Sequence, residues 1–297
     1  MNHSDAYRVF SAPHTHSRIT TGDVMYDVIL SLMPAALFGV WRFGAHVFLI
    51  LVTGVVTAMI TEYALNCFTG RGDSLHDASA ALTGLLLALC LPPDATVLMA
   101  FVGASAAMVI KAAFGGLGAN RLNPALAGRC VLMILFGSAM TGFLKQSGWT
   151  VDPAGGAEIV RALIGSRSAL IGGSVIALAF GGAYLLYKGR ISWQIPSGMI
   201  GSYLVLALIF TGPSGALSQT VFFLAGGGML AAFFMATDPV TSPVTAAGKL
   251  FFGILAGAVS ALLNKALGPA ESVCLAVLAA DLLTPVFDRI TAEGRRR

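Results

Sequence analysis

The chain has 297 residues, of which 56% are hydrophobic and 11% are charged. An ordinary soluble domain carries about 25% charged residues, so this composition and the mean hydropathy of +0.81 exclude a conventional soluble protein. The net charge of +4 follows from basic loops on one side of the predicted helices and does not indicate nucleic-acid binding.

Recurring apolar runs predict an all-α integral membrane protein of about ten transmembrane helices. The predicted spans are 23–40, 45–67, 77–91, 95–114, 124–143, 169–187, 194–212, 218–236, 249–263 and 271–287. They divide the chain into a cytoplasmic tail (1–22), a five-helix repeat (23–143), an external loop (144–168), a second five-helix repeat (169–288) and a basic cytoplasmic tail (289–297).

Two of the predicted spans are interrupted. The third ends at Leu91-Pro92-Pro93, and the eighth runs into Thr237-Asp238-Pro239. Such breaks are tolerated at membrane depth only where protein or a cavity satisfies the freed backbone groups. Because each break falls in the third helix of its half, the pattern predicts a 5+5 inverted repeat with broken helices around a site near the midplane.

Loop charges predict the orientation in the membrane. The two tails and the even-numbered connections hold more lysine and arginine than the odd-numbered ones, so the positive-inside rule places both termini in the cytoplasm. The basic residues on that side are Arg8, Arg18, Arg71, Arg121, Lys188, Arg190, Lys249, Arg289 and Arg295 to Arg297.

Three polar stretches are unusual for membrane depth: 74–84, 115–125 and 235–245. A half-helix that begins at Asn123-Pro124 would direct free backbone N–H groups at a ligand, and Asn120 and Asn123 would add side-chain hydrogen bonds. The alternative is that these stretches are interfacial loops that cap helices.

Ionisable residues within the apolar runs are a second signal, because an unpaired charge is unfavourable in a membrane. Lys111 and Arg129 lie near predicted helix ends, where long side chains can reach the interface. Asp27, Glu62 and Asp281 are therefore the candidates for an ion path, with ion pairs between helices as the alternative.

No pattern indicates hydrolysis, a catalytic residue or a metal site. The histidines form no HExxH pair, and no GxSxG or P-loop occurs. The cysteines Cys67, Cys90, Cys130 and Cys274 form no CxxC pair and are interpreted as small apolar residues.

Several motifs resemble the RnfD and NqrB family, the membrane subunits of the Rnf ferredoxin:NAD oxidoreductase and the sodium-pumping NADH:quinone oxidoreductase. The matching segments are Ser11 to His14, Ala80 to Leu89 with Leu91 to Pro93, Phe114 to Gly118 with Asn120 and Asn123 to Ala125, Ile191 to Pro196, and Phe234 to Pro243. The compact length and short N-terminal tail resemble RnfD more than NqrB.

The resemblance implies a multi-pass subunit of a bacterial inner-membrane complex that couples electron transfer between ferredoxin and NAD to ion transport. Its partners would be the A, B, C, E and G subunits of an Rnf-type complex. The chain would hold flavin, either FMN or riboflavin. We expect Asn120, Asn123, Thr237 and Asp238 to converge on one flavin pocket if the two halves pack about a common axis.

The external loop departs from the family pattern. Family members carry a Ser-Gly-Ala-Thr motif whose threonine is esterified to the phosphate of FMN, whereas Glu158 stands at the matching position here. A carboxylate cannot form that ester, and its charge would repel the phosphate. We therefore expect no covalent FMN in this loop and a non-covalent flavin elsewhere.

Two alternatives remain open from the sequence. Urea channels share a ten-helix, two-repeat design and a stretch similar to Leu82-Thr83-Gly84-Leu85-Leu86. The chain could also be a structural subunit with a degenerate flavin site. A flavin spectrum separates both alternatives from the redox subunit.

Overall fold

A computed structural model of the protein describes residues 20–70, 77–116, 118–140, 156–165 and 170–293, without the side chains of residues 156–158, 214, 292 and 293. The regular elements of this described part are all helical. In chain order they are α1 Thr21–Phe43, α2 Ala45–Thr69, α3 Ser79–Leu89, α4 Val97–Ala113, α5 Pro124–Leu135, α6 Gly156–Ile164, α7 Val175–Tyr187, α8 Gln194–Phe223, α9 Ala246–Leu267 and α10 Pro269–Glu293. Two π-helical turns, Leu224–Gly228 and Ala231–Met235, continue α8.

Several of the helices are long enough to span a membrane. Five stretches are long and apolar enough to cross a bilayer: α1, α2, the first part of α8 (Gln194–Pro213), α9 and most of α10. The helices α3, α4, α5 and α7 are apolar but shorter. The predicted all-α integral membrane fold is confirmed, and every predicted span has a helical counterpart.

One predicted span is broken and another begins late. The span predicted at 124–143 is broken at Phe136, which leaves helical geometry at φ −127° and ψ 35°. Residues 137–140 are helical again, and residues 141–143 lie outside the described part. The span predicted at 169–187 begins only at Val175. Before it, the N–H groups of Ile171 and Gly172 donate to carbonyls at the end of α3, at 2.9 Å each, so this segment packs as an irregular turn.

The spans predicted separately at 194–212 and 218–236 are two helical segments, as predicted, although the range labelled α8 covers both. Gly212, at φ 71° and ψ 178°, breaks the helix before Pro213. The rings of Tyr203 and Phe223 stack at 3.9 Å between centroids, and because 20 residues of continuous helix would span about 30 Å, the chain reverses direction at this break. The second segment continues into the two π-helical turns. The predicted external loop also contains the short helix α6, which was not expected.

Close approaches between small residues bring the helices together. A Cβ on Gly84 would clash with the backbone of Gly54, so α2 and α3 pack backbone to backbone. In the same way Gly181 of α7 packs against the carbonyl of Ser31 in α1, and Gly257 of α9 packs against that of Met199 in α8. Such small-residue contacts are the usual means of helix association in a membrane.

Packing partners recur in the two halves. Helix α4 packs between α2 and α5, as α9 packs between α8 and α10, while α1 contacts α7 and α5 contacts α10. The last two pairs are antiparallel: residues near the start of α1 contact the end of α7, and the start of α5 contacts the later part of α10. Below, the Thr21 side is the end of the bundle where α1 begins, and the Phe43 side is the opposite end.

Candidate functional site

A cleft on the Thr21 side is formed jointly by both halves of the chain. It encloses about 710 Å³ of space between atoms, including its open mouth. Its walls come from α1, α3, α4, α5, the end of α7, the second π-helical turn and the segments that follow these last two elements. The lining residues are Val24, Met25, Val28, Ser79, Leu82, Thr83, Leu86, Lys111, Asn120, Asn123, Pro124, Ala125, Leu185, Arg190, Ile191, Phe233, Phe234, Thr237, Asp238, Pro239 and Val240.

The structure brings all four predicted pocket residues to this cleft. Asn123 is the best fixed of them, because its side-chain oxygen accepts from the N–H groups of Ala125 and Leu126 at 3.0 and 3.3 Å and so caps α5. Its amide nitrogen donates to the Met235 carbonyl at 3.1 Å. Asn123 thus caps α5 and links the two halves, in agreement with the capping alternative.

The other three residues keep polar atoms for a ligand. The Asn120 amide nitrogen, in its satisfied orientation, donates to the carbonyls of Gly116 and Lys111 at 3.0 and 3.2 Å, which leaves its oxygen as an acceptor. The Thr237 hydroxyl donates to the Phe233 carbonyl at 2.7 Å and can still accept. One Asp238 oxygen accepts from the Val240 N–H at 3.1 Å.

A buried ion pair forms the polar floor of the cleft. Lys111 Nζ donates to Glu62 Oε1 and to Ser79 Oγ, at 2.7 Å each, and the lysine side chain is 2% exposed. The expectation that Lys111 reaches the membrane interface was wrong: the helix turns this residue inward, where Glu62 satisfies its charge. Glu62, an ion-path candidate, therefore lies directly behind the cleft.

Asp27 has the contacts of a structural clamp. Arg190 Nε and Nη2 both lie 2.7 Å from Asp27 Oδ2, and the Tyr184 hydroxyl donates to Oδ1 at 3.0 Å. Lys188 lies 3.9 Å away and is half-exposed. These contacts hold the start of α1 to the end of α7 at the mouth of the cleft.

Asp281 and Arg129 lie on the two helices that meet between the halves. Asp281 Oδ2 accepts from the Asn123 backbone N–H at 2.9 Å, so this ion-path candidate also supports the start of α5. The expectation that Arg129 reaches the interface was wrong as well. Arg129 is 1% exposed and points into the bundle, where its Nη2 lies 3.5 Å from Glu271 Oε1.

Comparison with known proteins identifies the family. Residues 8–296 match the model of the NQR2, RnfD, RnfE family. The chain belongs to this family.

Three relatives illustrate the match to the family over nearly the whole chain. The D subunit of the proton-translocating ferredoxin:NAD(+) oxidoreductase complex of Clostridium ljungdahlii is 38% identical over 98% of this chain and 97% of the relative. The D subunit of the Na(+)-translocating ferredoxin:NAD(+) oxidoreductase complex of Acetobacterium woodii is 33% identical over 96% and 93%. The D subunit of the ion-translocating oxidoreductase complex of Halorhodospira halophila is 33% identical over 97% and 95%.

The altered loop position of this family member lies in α6. Glu158 belongs to the helix Gly156–Ile164, but its side chain and residues 141–155 and 166–169 lie outside the described part. The expected absence of covalent FMN at Glu158 therefore stays a prediction. The motif at Ser11 to His14 also lies outside the described residues.

Three residues of the cleft were not predicted from the sequence. Phe233 and Phe234 of the second π-helical turn supply apolar walls, and Arg190 contributes at the mouth. The two phenylalanines carry no local signal, because aromatic residues in an apolar run are typical of any membrane helix. For Arg190 a signal existed: Asp27, one turn into the first apolar run, needs a cationic partner at the same membrane depth.

Proposed function

We propose that the chain is the D-type membrane subunit of an ion-translocating Rnf complex, which couples electron transfer between ferredoxin and NAD to ion transport. Family membership over nearly the full length supports this assignment. The chain would assemble with the A, B, C, E and G subunits in the bacterial cytoplasmic membrane, with the Thr21 side and both termini in the cytoplasm and the two five-helix units arranged as an inverted repeat.

Its own contribution would be a non-covalent flavin in the cleft, as FMN or riboflavin. The observation that carries this proposal is the convergence of three distant polar stretches on one cleft with aromatic and aliphatic walls. Ligand sites are typically of this kind, mostly apolar with a few placed polar groups. The Asn120 oxygen, the Thr237 hydroxyl and Asp238 can accept from ring N–H or ribityl hydroxyl groups.

The chain and the flavin would have different roles in electron transfer. A bound flavin supplies electron transfer through its ring. Asp238 would accept a hydrogen bond from the ring, Lys111 would place a positive charge behind the cleft, and the Phe233 and Phe234 walls would exclude water. Asn123 would act as a positioning residue, because it fixes Met235 just before Thr237 and Asp238.

The ion path would use carboxylates close to the cleft. Glu62 contacts Lys111, and Asp281 contacts the backbone of Asn123, so both lie next to groups that line the cleft. Asp27 is bound by Arg190 and Tyr184, and we assign it to the clamp between α1 and α7 rather than to ion transport.

The experiment compares Asp238→Asn with Asp94→Asn, an exposed aspartate in the turn before α4 that is not among the cleft residues. Both complexes should assemble. Asp238→Asn should lower flavin retention or electron transfer by roughly 5- to 150-fold, which corresponds to about 1–3 kcal/mol of lost hydrogen bonding. Equal flavin content and equal activity in the two variants would contradict the cleft as the flavin site.

The two rival functions give different results in the same preparation. A small-solute channel should move urea into liposomes without flavin or partner chains. A structural subunit should assemble with its partners and contain no flavin, and Asp238→Asn should then leave the activity per assembled complex unchanged.

A further inference from the structure

A second buried polar site lies beyond the cleft, between α5 and α10. Arg129 occupies the middle of α5, and Glu271 the first turn of α10 near the Phe43 side. Their side chains are 2% and 3% exposed, and the closest atoms, Nη2 and Oε1, are 3.5 Å apart. A direct charge-assisted hydrogen bond is shorter, at about 2.7–2.9 Å.

The polar atoms of this pair are not satisfied by the protein. Arg129 Nε, Nη1 and Nη2 and both Glu271 carboxylate oxygens have no hydrogen-bond partner among the described residues. The Lys111–Glu62 pair is also buried, with side chains 2% and 8% exposed, but it closes at 2.7 Å with Ser79 as a further partner of Lys111, and only Glu62 Oε2 of that pair has no partner among the described residues. Buried polar groups without protein partners are typically bonded to internal water.

The surroundings decide which ion such a site can take. In the described part, Arg129 is the charged group that faces Glu271. The other titratable groups that interact electrostatically with Arg129 are the thiols of Cys90, Cys130 and Cys274. Among the described residues no second carboxylate completes a metal site in this region. A guanidinium at 3.5 Å repels a metal cation, whereas a carboxylate can still take a proton from water.

The site also lies at a different depth in the membrane from the cleft. Glu271 and Asp281 lie on the same helix, and ten residues of α-helix span about 15 Å. Asp281 lies beside the cleft through its contact with Asn123. Glu271 lies next to the irregular glycine turn at Leu224–Gly228, where Gly226 packs against Pro269. Irregular backbone at membrane depth is tolerated where it is buried in protein or lines a water-filled cavity.

We propose that Arg129 and Glu271 form a hydrated proton site in the Phe43 half of the membrane, which exchanges a proton with water and rejects metal cations. Glu271 takes and releases the proton, and Arg129 keeps its charge throughout. The role of this site in ion transport rests on the proposed function, but its hydration and proton exchange do not.

The first test uses the purified protein and infrared spectroscopy in H2O and D2O across its range of pH stability. A protonated-carboxyl band should appear as pH falls, shift in D2O and be absent in Glu271→Gln. The band should also be absent in Arg129→Met/Glu271→Met, which avoids leaving one buried charge unpaired. Asp94→Asn, which removes an exposed carboxyl outside the site, is the control and should retain the band. A spectrum in which no such band depends on Glu271 would overturn the proposal, because the pair would then be a static ion bridge.

The second test measures protons moved per electron by the complex in proteoliposomes. Arg129→Met/Glu271→Met should assemble and keep its flavin but lose at least half of the protons moved per electron. A static bridge replaced by apolar residues should leave this ratio unchanged, and that result would overturn the role in transport. If the wild-type complex contains no flavin, the proposed function is contradicted, but the infrared result still supports the hydrated proton site.

Discussion

At the scale of single residues, the cleft depends on one paired charge. Lys111 is bonded to Glu62 and Ser79 inside the bundle. Because a buried charge that loses its partner is strongly unfavourable, Lys111→Met should destabilise the protein by about 3–5 kcal/mol. Lys111→Met/Glu62→Met removes both charges and should recover most of that stability. Thermal unfolding in detergent measures both, and a double variant no more stable than the single one would contradict the pairing.

Asn123 offers a second test at this scale, because one side chain performs two tasks. Asn123→Ala removes the cap of α5 and the bond to the Met235 carbonyl. Loss of a cap alone costs about 0.5–2 kcal/mol. Asn123→Ser keeps a capping oxygen and loses the bridge, so it should be less destabilised than Asn123→Ala while still weakening flavin retention. Equal unfolding temperatures in the two variants would show that the cap contributes little.

Some of these residue roles were visible in the sequence. Asn123 before Pro124 predicts the start of a helix, and the structure confirms it. The partner of its amide, the carbonyl of Met235, is 112 positions away, and no local pattern encodes such a contact. The burial of Lys111 and Arg129 was not predicted. Their positions near predicted helix ends suggested that the side chains reach the membrane interface, whereas the direction of each side chain depends on how the helices pack.

At the scale of elements, backbone contact between α2 and α3 should be sensitive to a single methyl group. A Cβ on Gly84 would meet the Gly54 backbone, so Gly84→Ala should destabilise the fold by about 1–3 kcal/mol through overpacking. Gly201→Ala is the matched control, since Gly201 lies in α8 with no neighbour within 4 Å of an added Cβ. It should be neutral or slightly stabilising. Comparable losses of unfolding temperature in both variants would contradict the close contact.

The sequence predicted the helices better than their interruptions. Apolar runs fix which segments enter a membrane, so every predicted span has a helix. Two spans were predicted on either side of Gly212-Pro213, and the structure confirms a break there, with Gly212 at φ 71° and ψ 178°. The irregular turn before Val175 was not predicted, because its residues are apolar and its N–H groups are satisfied by carbonyls near the end of α3. The helix α6 escaped prediction because a short amphipathic segment in a polar loop gives no hydropathy peak.

At the scale of the whole molecule, the proposed orientation can be measured directly. Reporter fusions at Gly189 and Arg297 should report the cytoplasm, and a fusion at Gly155 should report the outside, because basic residues are enriched in the connections on the cytoplasmic side. A reporter that is active outside when fused at Arg297 would contradict an even number of membrane crossings.

We propose that this family member holds a non-covalent flavin in a cleft shared by its two halves. Native mass spectrometry of the chain released from the intact complex tests it most directly. We predict a mass increase of one flavin under native conditions, which disappears on denaturation and is reduced in Asp238→Asn. A wild-type chain without flavin under native conditions, or with flavin that survives denaturation, would contradict a non-covalent flavin in the cleft.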